Sequence, residues 1–562
     1  MALSANEGIK ERSRALRGGI AEGLTRDETG SLSADDTQLT KFHGIYQQDD
    51  RDLRAERGRT KMEPAYSFMA RLRIPGGRIS PQQFLLLAEI ARERANGTIR
   101  LTTRETIQFH GIIKTNLQPA IAAIGAAMLD TIAACGDVNR NVIATSNPHE
   151  SPAHAEALAL AQTISAGLLP KTRAWHEIWV GDKLLAGGEP EHEPLYGRTY
   201  LPRKFKVAIA VPPQNDVDVF AHDLGYVAVL RDGVVTGYDV LAGGGMGMTH
   251  GELDTFPRTG DVLGFCTPDQ ALAVAEAVMT TQRDEGNRES RKHARLKYTI
   301  ERMGLDAFRA EVERRLGWTL QEARGFTFDG TGDRLGWHDS ADGTSHFGLF
   351  IENGRIRDET LTGLRAVAAV HRGEFILTAN QNLIVAGVQP ADWAGIAALL
   401  AEHGLDRPAS KLRQSAMACV ALPTCGLALA ESERFLPGLI TELEGVFAAA
   451  GLAEDEIVIR MTGCPNGCAR PYLAEIGLVG RGPGRYNLYL GAAFDGTRLN
   501  KLYRRDVGDA EIVPLLAPLV QQYAAERRER EHFGDFVIRA GHVRPTLAGN
   551  QFHDDVELRN VA

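Results

Sequence analysis

The sequence predicts an α+β protein built from three or more lobes. Its 562 residues are 43% hydrophobic and 24% charged, which is typical of a large globular chain with a substantial buried core. A strand–helix–strand unit near residue 70 recurs near residue 350, and a longer α/β segment follows each copy. Because a repeat of this length indicates two units that pack as a pseudo-symmetric pair, we expect the pair and the two longer segments to form separate lobes.

Residues 1–68 are polar and charge-dense and show little hydrophobic period. We interpret them as an extended arm that docks a partner or a second subunit. The first residues carry scattered charges and no apolar stretch typical of a secretory signal, and no run of about 18 apolar residues occurs along the chain. The sequence therefore predicts a cytoplasmic location without a transmembrane role.

The repeat occupies residues 69–133 and 335–405. In each copy a short strand ends in a turn, an amphipathic helix follows, and a further strand closes the unit. The alternative is that two such units resemble each other by chance.

The two copies differ at polar positions of their last strands. When the two copies are aligned, Arg104 and Gln108 of the first correspond to Asn380 and Ile384 of the second. One copy keeps polar and cationic groups that the other lacks, as expected if only one of them contributes to a site.

The longer segments are residues 134–334 and 406–562. Both contain short β-branched strands, written KVAIAVPP at 206–213 and EIVIRMTG at 456–463, together with Gly-rich turns and amphipathic helices. We expect one α/β lobe from each segment.

Four of the six cysteines are clustered in the second segment, with the spacing C-x5-C followed by C-x3-C. Structural zinc sites usually have two to four residues between paired cysteines, so the first pair, with five, is too widely spaced. An iron–sulfur cubane accepts wider spacings, and the glycines beside these cysteines allow close approach of the backbone. A [4Fe-4S] cluster is favoured, and zinc or unliganded thiols stay open as alternatives. The four candidates are Cys419, Cys425, Cys464 and Cys468.

The remaining two cysteines, Cys135 and Cys266, have no cysteine nearby in the sequence. We interpret them as buried small residues.

A second group of candidates is cationic. In the segment LPRKFK a two-residue period places Lys204 and Lys206 on one face of a strand and Arg203 on the other. Like charges on one face repel each other unless an anion compensates them, so the pair predicts a pocket for a small oxyanion or a polycarboxylate cofactor. Solvated charges at a strand edge are the alternative. Further cations beside strand-like segments are Arg71, Arg73, Arg100, Arg104 and Arg140.

The overall net charge of -9 gives no global field for a polyanion such as DNA, so any anion site must be local. The Gly-rich run LAGGGMGMTH at 241–250 lacks the phosphate-loop pattern and gives little support for a nucleotide site. A flexible loop over a flat cofactor fits it equally well.

Taken together, CVALPTC, TGCPNGC, LPRKFK, NRNVIATSNP and RLTTRETIQFHGI resemble the siroheme-dependent sulfite and nitrite reductases. The resemblance extends from about residue 40 to residue 545. It implies a trilobed fold in which two ferredoxin-like half-domains form a pseudo-two-fold pair beside two α/β lobes that bind siroheme and a [4Fe-4S] cluster.

The resemblance also implies roles for individual residues. The four clustered cysteines match the cluster ligands, and Cys468 matches the thiolate that is also the axial ligand of the siroheme iron. The residues that match the substrate-anion positions are Arg71, Arg140, Lys204 and Lys206. Those that match siroheme contacts are Arg104, Gln108, Arg203, Lys297 and Asn466.

The implied reaction is the six-electron reduction of sulfite to sulfide in sulfate assimilation and cysteine biosynthesis. The arm at 1–68 resembles the flavoprotein-binding extension of NADPH-dependent members, which implies an FAD/FMN reductase subunit as electron donor. The nearest alternative is a siroheme nitrite reductase that forms ammonia, and a non-catalytic zinc or iron–sulfur protein is a more distant one.

Overall fold

The computed structural model describes residues 3–171, 178–180, 183–186 and 193–554. Within these ranges the strands form four five-stranded sheets and one two-stranded sheet. The strands are β1 (Ile45–Asp49), β2 (Tyr66–Arg71), β3 (Arg78–Ile79), β4 (Ile99–Leu101), β5 (Ile107–Ile112), β6 (Ile143–Ala144), β7 (Ile178–Val180), β8 (Lys183–Ala186), β9 (Val207–Ala210), β10 (Leu224–Arg231), β11 (Val234–Ala242), β12 (Asp261–Cys266), β13 (Gly336–Asp339), β14 (Ser345–Leu349), β15 (Arg355–Ile356), β16 (Glu374–Leu377), β17 (Leu383–Val388), β18 (Ala416–Ala418), β19 (Ile459–Thr462), β20 (Ile476–Gly482), β21 (Arg485–Leu490) and β22 (Lys501–Gly508).

The α-helices pack on the faces of these sheets and also form the beginning of the chain. None of the helices in the described ranges has the length and apolar character needed to cross a membrane. The helices are α1 (Ala5–Arg12), α2 (Ile20–Leu24), α3 (Ala34–Leu39), α4 (Arg54–Arg59), α5 (Pro81–Arg94), α6 (Lys114–Ala126), α7 (Pro152–Gly167), α8 (Ala271–Glu285), α9 (Leu296–Met303), α10 (Leu305–Leu316), α11 (Asp358–Val370), α12 (Trp393–Glu402), α13 (Lys411–Gln414), α14 (Leu436–Ala449), α15 (Ile512–Glu526) and α16 (Phe533–Arg539).

The two copies of the repeat form two sheets that exchange an edge strand. The strand orders are β1-β2-β5-β4-β15 and β13-β14-β17-β16-β3. β15 of the second copy pairs antiparallel with β4 of the first, and β3 of the first copy pairs antiparallel with β16 of the second. One hydrophobic core contains residues of both copies. The structure confirms the predicted pseudo-symmetric pair.

The last strand of each copy is a hairpin and not the single strand that the sequence predicts. The turns at 102–106 and 378–382 are each closed by a backbone hydrogen bond of 3.0 Å between their first and last residues. Glu105 and Gln381 hold the positive φ that each turn needs, at 49° and 70°. Because neither turn contains glycine or proline, the sequence pattern alone does not reveal it.

The two longer segments fold into lobes of the same topology, which we call the first lobe (β6 and β9–β12) and the second lobe (β18–β22). Their strand orders are β12-β11-β10-β9-β6 and β18-β19-β20-β21-β22. In each, three strands run parallel and the remaining pairs are antiparallel. Each lobe has its own large core. With the shared core of the repeat pair, this gives the predicted trilobed α+β architecture.

The beginning of the chain differs from the predicted extended arm. Leu16, Leu39 and Phe42 are buried in the core of the first lobe, and β1 pairs with β2 along its whole length. The apolar residues of this segment are few and irregularly spaced because its helices are short, so they produce no sustained hydrophobic period. The segment is therefore part of the folded body.

Candidate functional site

A cavity of about 410 Å³ is lined by residues of the repeat pair, of both lobes and of the N-terminal segment. This volume lies in the usual range for ligand sites, roughly 300–1,000 Å³. All four clustered cysteines reach its wall, together with six of the other predicted residues. Those six are Arg71, Gln108, Arg140, Arg203, Lys204 and Asn466.

A smaller pocket adjoins this cavity, because Lys204, Asn466 and Cys468 line both. Arg104 and Lys206 also line the smaller pocket. The fold thus brings together all the predicted site residues except Lys297.

The four thiols come from two loops of the second lobe. Cys419 and Cys425 follow β18, whereas Cys464 and Cys468 follow β19. Because β18 and β19 are parallel neighbours, their carboxyl ends bring the two loops to the same edge of the sheet. The backbone N–H of Gly463 lies 3.4 Å from the sulfur of Cys419.

The chemistry of these thiols fits an iron–sulfur cluster. Burial and the neighbouring Cys468 raise the pKa of Cys419 well above its ordinary value and that of Cys464 to about 12. Thiolates crowded in this way need a metal cation to compensate them. A [4Fe-4S] cubane is held by four cysteine thiolates, which is the ligand set that the two loops bring to the cavity.

Cys468 differs from the other three because its side chain is exposed in the cavity. Its carbonyl accepts a hydrogen bond of 3.0 Å from the hydroxyl of Thr103, in the first copy of the repeat. Arg470 also donates to the carbonyl of Thr103, at 3.1 Å. The hairpin turn of the repeat therefore fixes the loop that presents Cys468.

Lys204 and Lys206 are partly exposed and face the pockets just before β9. Burial lowers the pKa of each well below its ordinary value, and nearby cations, including Lys206 beside Lys204, lower it further. Neither ammonium has an ion-pair partner within the described residues. This arrangement can bind an anion, because no carboxylate of the described residues pairs directly with either ammonium and the nearby cations outnumber the one carboxylate, Asp223, that acts on Lys206.

Arg71 and Arg140 are held in the cavity by neutral groups, whereas the other arginines of its wall lie beside Asp137 or Glu433. Arg140 donates to the carbonyl of Gly136 at 3.1 and 3.2 Å. Arg71 donates to the sulfur of Cys135 at 3.2 Å and, from Nε, to the side-chain oxygen of Gln108 at 3.1 Å. Since these partners are uncharged, both guanidinium groups keep an unneutralised charge facing the cavity.

Arg104 is anchored in the first lobe, although it belongs to the repeat. It is buried, donates to the carbonyl of Val207 at 3.0 Å and lies 3.1 Å from Nδ1 of His222. Burial lowers its pKa to about 9. Its Nε has no hydrogen-bond partner, so an anionic group entering the smaller pocket could satisfy it.

Lys297 lies outside both pockets. It is fully buried and donates to the carbonyls of Gly245 at 3.1 Å, Gly247 at 2.7 Å and Phe256. These carbonyls belong to the loop between β11 and β12, and the first two lie in the Gly-rich run. Met248 of the same loop donates its N–H to the carbonyl of Pro465 at 3.0 Å. Lys297 therefore holds a loop against the cysteine loop, and any effect on a cofactor would act through that loop.

The remaining two cysteines are both fully buried, as the sequence indicates. Burial raises the pKa of Cys266 to about 12, so its thiol stays protonated. Cys135 differs because Arg71 contacts its sulfur, which places it at the edge of the cavity.

Several site residues escape the sequence reasoning. Lys41 and Tyr46 line the cavity although they belong to the N-terminal segment, and His222 and Arg295 line the smaller pocket. Arg295 forms an ion pair of 3.0 Å with Asp223. The basic run RKHARLKY, in which Arg295 stands two residues before Lys297, was an available signal; no sequence signal marks the other three.

Two family models match the chain. Residues 60–127 and 338–403 match the nitrite/sulfite reductase ferredoxin-like half domain. Residues 160–320 match the nitrite and sulphite reductase 4Fe-4S domain. The second match covers β9–β12 of the first lobe and none of the four clustered cysteines, so the assignment of these cysteines depends on their spacing and geometry.

Relatives and a solved structure resemble the chain over nearly its full length. A sulfite reductase [NADPH] hemoprotein beta-component of Methylobacterium nodulans is 62% identical over 98% of this chain and 93% of its own length. The protein of the same name from Chromohalobacter salexigens is 58% identical over 98% and 97%. The structure of the Mycobacterium tuberculosis NirA protein has a TM-score of 0.78 at 24% identity, over 96% of this chain and 97% of its own, and shows the same fold. The chain therefore belongs to the siroheme- and [4Fe-4S]-dependent nitrite and sulfite reductase family.

Proposed function

We propose that this chain is the siroheme- and cluster-carrying subunit of an assimilatory sulfite reductase, which reduces sulfite to sulfide with six electrons for cysteine biosynthesis. The observation that carries the proposal is that four clustered cysteines and two lysines without an ion-pair partner in the described residues open on adjoining pockets. Full-length identity of about 60% to hemoprotein beta-components favours sulfite over nitrite as substrate.

The four clustered cysteines would hold the cluster, and Cys468 would also hold the siroheme iron, since its side chain is the one exposed in the cavity. When bound, the siroheme supplies the iron centre at which the sulfur of the substrate is reduced with electrons from the cluster. The carboxylates of siroheme would be bound by Arg104, Gln108, Arg203 and Asn466, which line the pockets. Lys297 would support this site indirectly.

The substrate would be bound by Arg71, Arg140, Lys204 and Lys206. Arginines stay charged and orient an oxyanion, whereas an ammonium with a lowered pKa gives up its proton more readily. Each oxygen of sulfite leaves as water, so the reaction consumes protons as it proceeds. We assign proton delivery to the two lysines, because burial and nearby cations lower the pKa of both.

The electron donor in this proposal is an NADPH-dependent FAD/FMN flavoprotein subunit, and the assembly acts in the cytoplasm. The support for the donor is that the relatives bear the name of NADPH-dependent sulfite reductases.

The test is anaerobic purification followed by an absorption spectrum and turnover with a chemical electron donor. We expect the absorption bands of siroheme, and sulfide produced from sulfite faster than ammonia from nitrite. Fast ammonia formation with negligible sulfide would instead establish a nitrite reductase. A spectrum without siroheme bands in protein expressed with an adequate siroheme supply would exclude both.

A further inference from the structure

The N-terminal segment forms part of the wall of the cavity. Gln38, Lys41, Tyr46 and Gln48 all line it. Gln48 fixes the segment further, because its side-chain oxygen lies 3.2 Å from Nδ1 of His110 on β5. The segment is therefore built into the site and contributes side chains to it.

Lys41 is the cation that this segment contributes. Its Nζ donates to the side-chain oxygen of Gln38 at 2.6 Å and lies 5.6 Å from the ring centroid of Tyr46. Gln38 is its one hydrogen-bond partner in the described part of the chain. Since an ammonium group has three N–H donors, two of them are left to hydrogen-bond a group in the cavity.

The charges that face Lys41 do not balance. They are those of Arg140, Arg203 and Arg291 and of one carboxylate, Asp137. Asp137 is already engaged, because Arg291 donates to its two oxygens at 2.8 and 3.0 Å and Arg203 lies 3.8 Å away. Burial and the neighbouring Arg291 lower the pKa of Lys41 to about 8. A buried excess of positive charge is costly unless an anion compensates it.

The surroundings of Lys41 are continuous with the proposed substrate site. Tyr46, whose ring lies next to Lys41, also lies close enough to Arg140 to act on its charge. Arg203, whose charge also acts on Lys41, is one of the proposed cofactor contacts. An anion that approached Lys41 would thus also meet these arginines.

We propose that Lys41 is an anion-binding residue of this cavity, with either a carboxylate of the siroheme or the oxyanion of the substrate as its ligand. The two share one chemistry, an oxygen anion that accepts hydrogen bonds from the ammonium group. The inference deepens the proposed function and depends on it only for the identity of the substrate oxyanion.

The test compares Lys41→Met, which removes the charge, with Lys41→Arg, which keeps it, in the full-length holoprotein. Siroheme content per chain is measured by absorption. The KM and kcat for sulfite are measured by steady-state kinetics with a chemical electron donor, and the Kd for sulfite is measured from the absorption change on binding. Lys411→Met is the control, because Lys411 is exposed and lies outside the cavity.

We expect Lys41→Met to weaken either siroheme binding or sulfite binding about tenfold, and Lys41→Arg to restore whichever is weakened. A fall in siroheme content assigns the cofactor carboxylate, whereas a rise in KM and Kd for sulfite at full siroheme content assigns the substrate. Wild-type siroheme content together with wild-type KM and Kd for sulfite in Lys41→Met would overturn the proposal. A loss in Lys41→Arg as large as that in Lys41→Met would also overturn it. If Lys41→Met does not fold, Lys41→Gln replaces it in the same comparison. If the wild type binds siroheme but reduces only nitrite, the proposed function fails, and nitrite replaces sulfite in this test.

Discussion

The first and second lobes share one topology and carry different chemistry. Val207 of β9 pairs with Leu224 of β10, and Ile459 of β19 pairs with Ile476 of β20, with connections of equal length. Asp218 in the first connection and Arg470 in the second have φ of 47° and 54° and each precede a short 3-10 turn. These two equivalent residues form a buried ion pair with each other, which joins the lobes at their pseudo-symmetry axis.

The difference lies in the loops on either side of this ion pair. By the same register, Cys464 and Cys468 of the second lobe correspond to Pro212 and Asp216 of the first. Lys204 and Lys206 of the first lobe correspond to Glu456 and Val458 of the second. One scaffold, used twice, thus supplies thiols from one lobe and ammonium groups from the other, and the site forms where the two sets face each other.

Removing the thiol at the centre of this arrangement should have the largest effect. We expect Cys468→Ser to lose siroheme and cluster together, because a hydroxyl is a poor replacement for a thiolate shared by two iron sites. The measurements are iron and acid-labile sulfide content and the absorption spectrum.

The control is Cys266→Ser, a fully buried cysteine of the first lobe, which should keep both cofactors. Full siroheme content in the Cys468 variant would contradict the shared-ligand assignment.

Removing the charges of the first lobe should have a smaller effect. Lys204→Met combined with Lys206→Met should keep both cofactors and lower kcat/KM for sulfite on the order of 100-fold, because two charge-assisted hydrogen bonds to the oxyanion are lost. Steady-state kinetics with a chemical donor measure this loss.

The matched control is the double variant Lys61→Met with Lys411→Met, in which both lysines are exposed. Unchanged sulfite kinetics in the Lys204 and Lys206 variant would assign that pair to ordinary solvated charges.

Much of the fold was predictable from the sequence because the repeat and the strand patterns are local. The pairing of β3 with the second copy and of β15 with the first was not, since two-residue strands carry no period. The turns at 102–106 and 378–382 were also missed, because residues other than glycine adopt their positive φ.

Candidate site residues could be proposed from the sequence where the chemistry requires a characteristic spacing. The four cysteines and the lysines at 204 and 206 stand in short motifs, and the fold brings both sets to adjoining pockets. Lys41 was not predictable, because it reaches the cavity only through the packing of irregularly spaced apolar residues such as Leu39 and Phe42. Lys297 is the opposite case, because the sequence indicates a cofactor contact whereas the residue lies outside both pockets. The basic residues around it do not reveal that its ammonium group donates to backbone carbonyls.

The smallest effect that we expect concerns Asp216, the counterpart of Cys468 in the first lobe. It accepts the N–H of Ser146 at 2.9 Å, but its Oδ1 has no partner. Burial and the neighbouring Asp333 raise its pKa from 3.8 to about 7, and Glu105 also lies nearby. The folded state thus holds a proton that the unfolded state releases at lower pH. This contribution to stability is complete below about pH 4 and is lost as the pH rises through 7.

Asp216→Asn removes this ionisable group. The free energy of unfolding of the variant should therefore rise relative to that of wild type as the pH rises from 5 to 8. The gain over this pH range is at most about 3 kcal/mol, since two pKa units separate pH 5 from a pKa of about 7 and each unit corresponds to about 1.4 kcal/mol. The measurement is the difference in thermal midpoint between variant and wild type at each pH. Asp239→Asn is the control, because Asp239 is buried and accepts backbone N–H groups with both oxygens, so its loss should destabilise at both pH values. An Asp216→Asn difference independent of pH would show that Asp216 is charged in the fold, and the first lobe would then hold an anion where the second holds its thiolate.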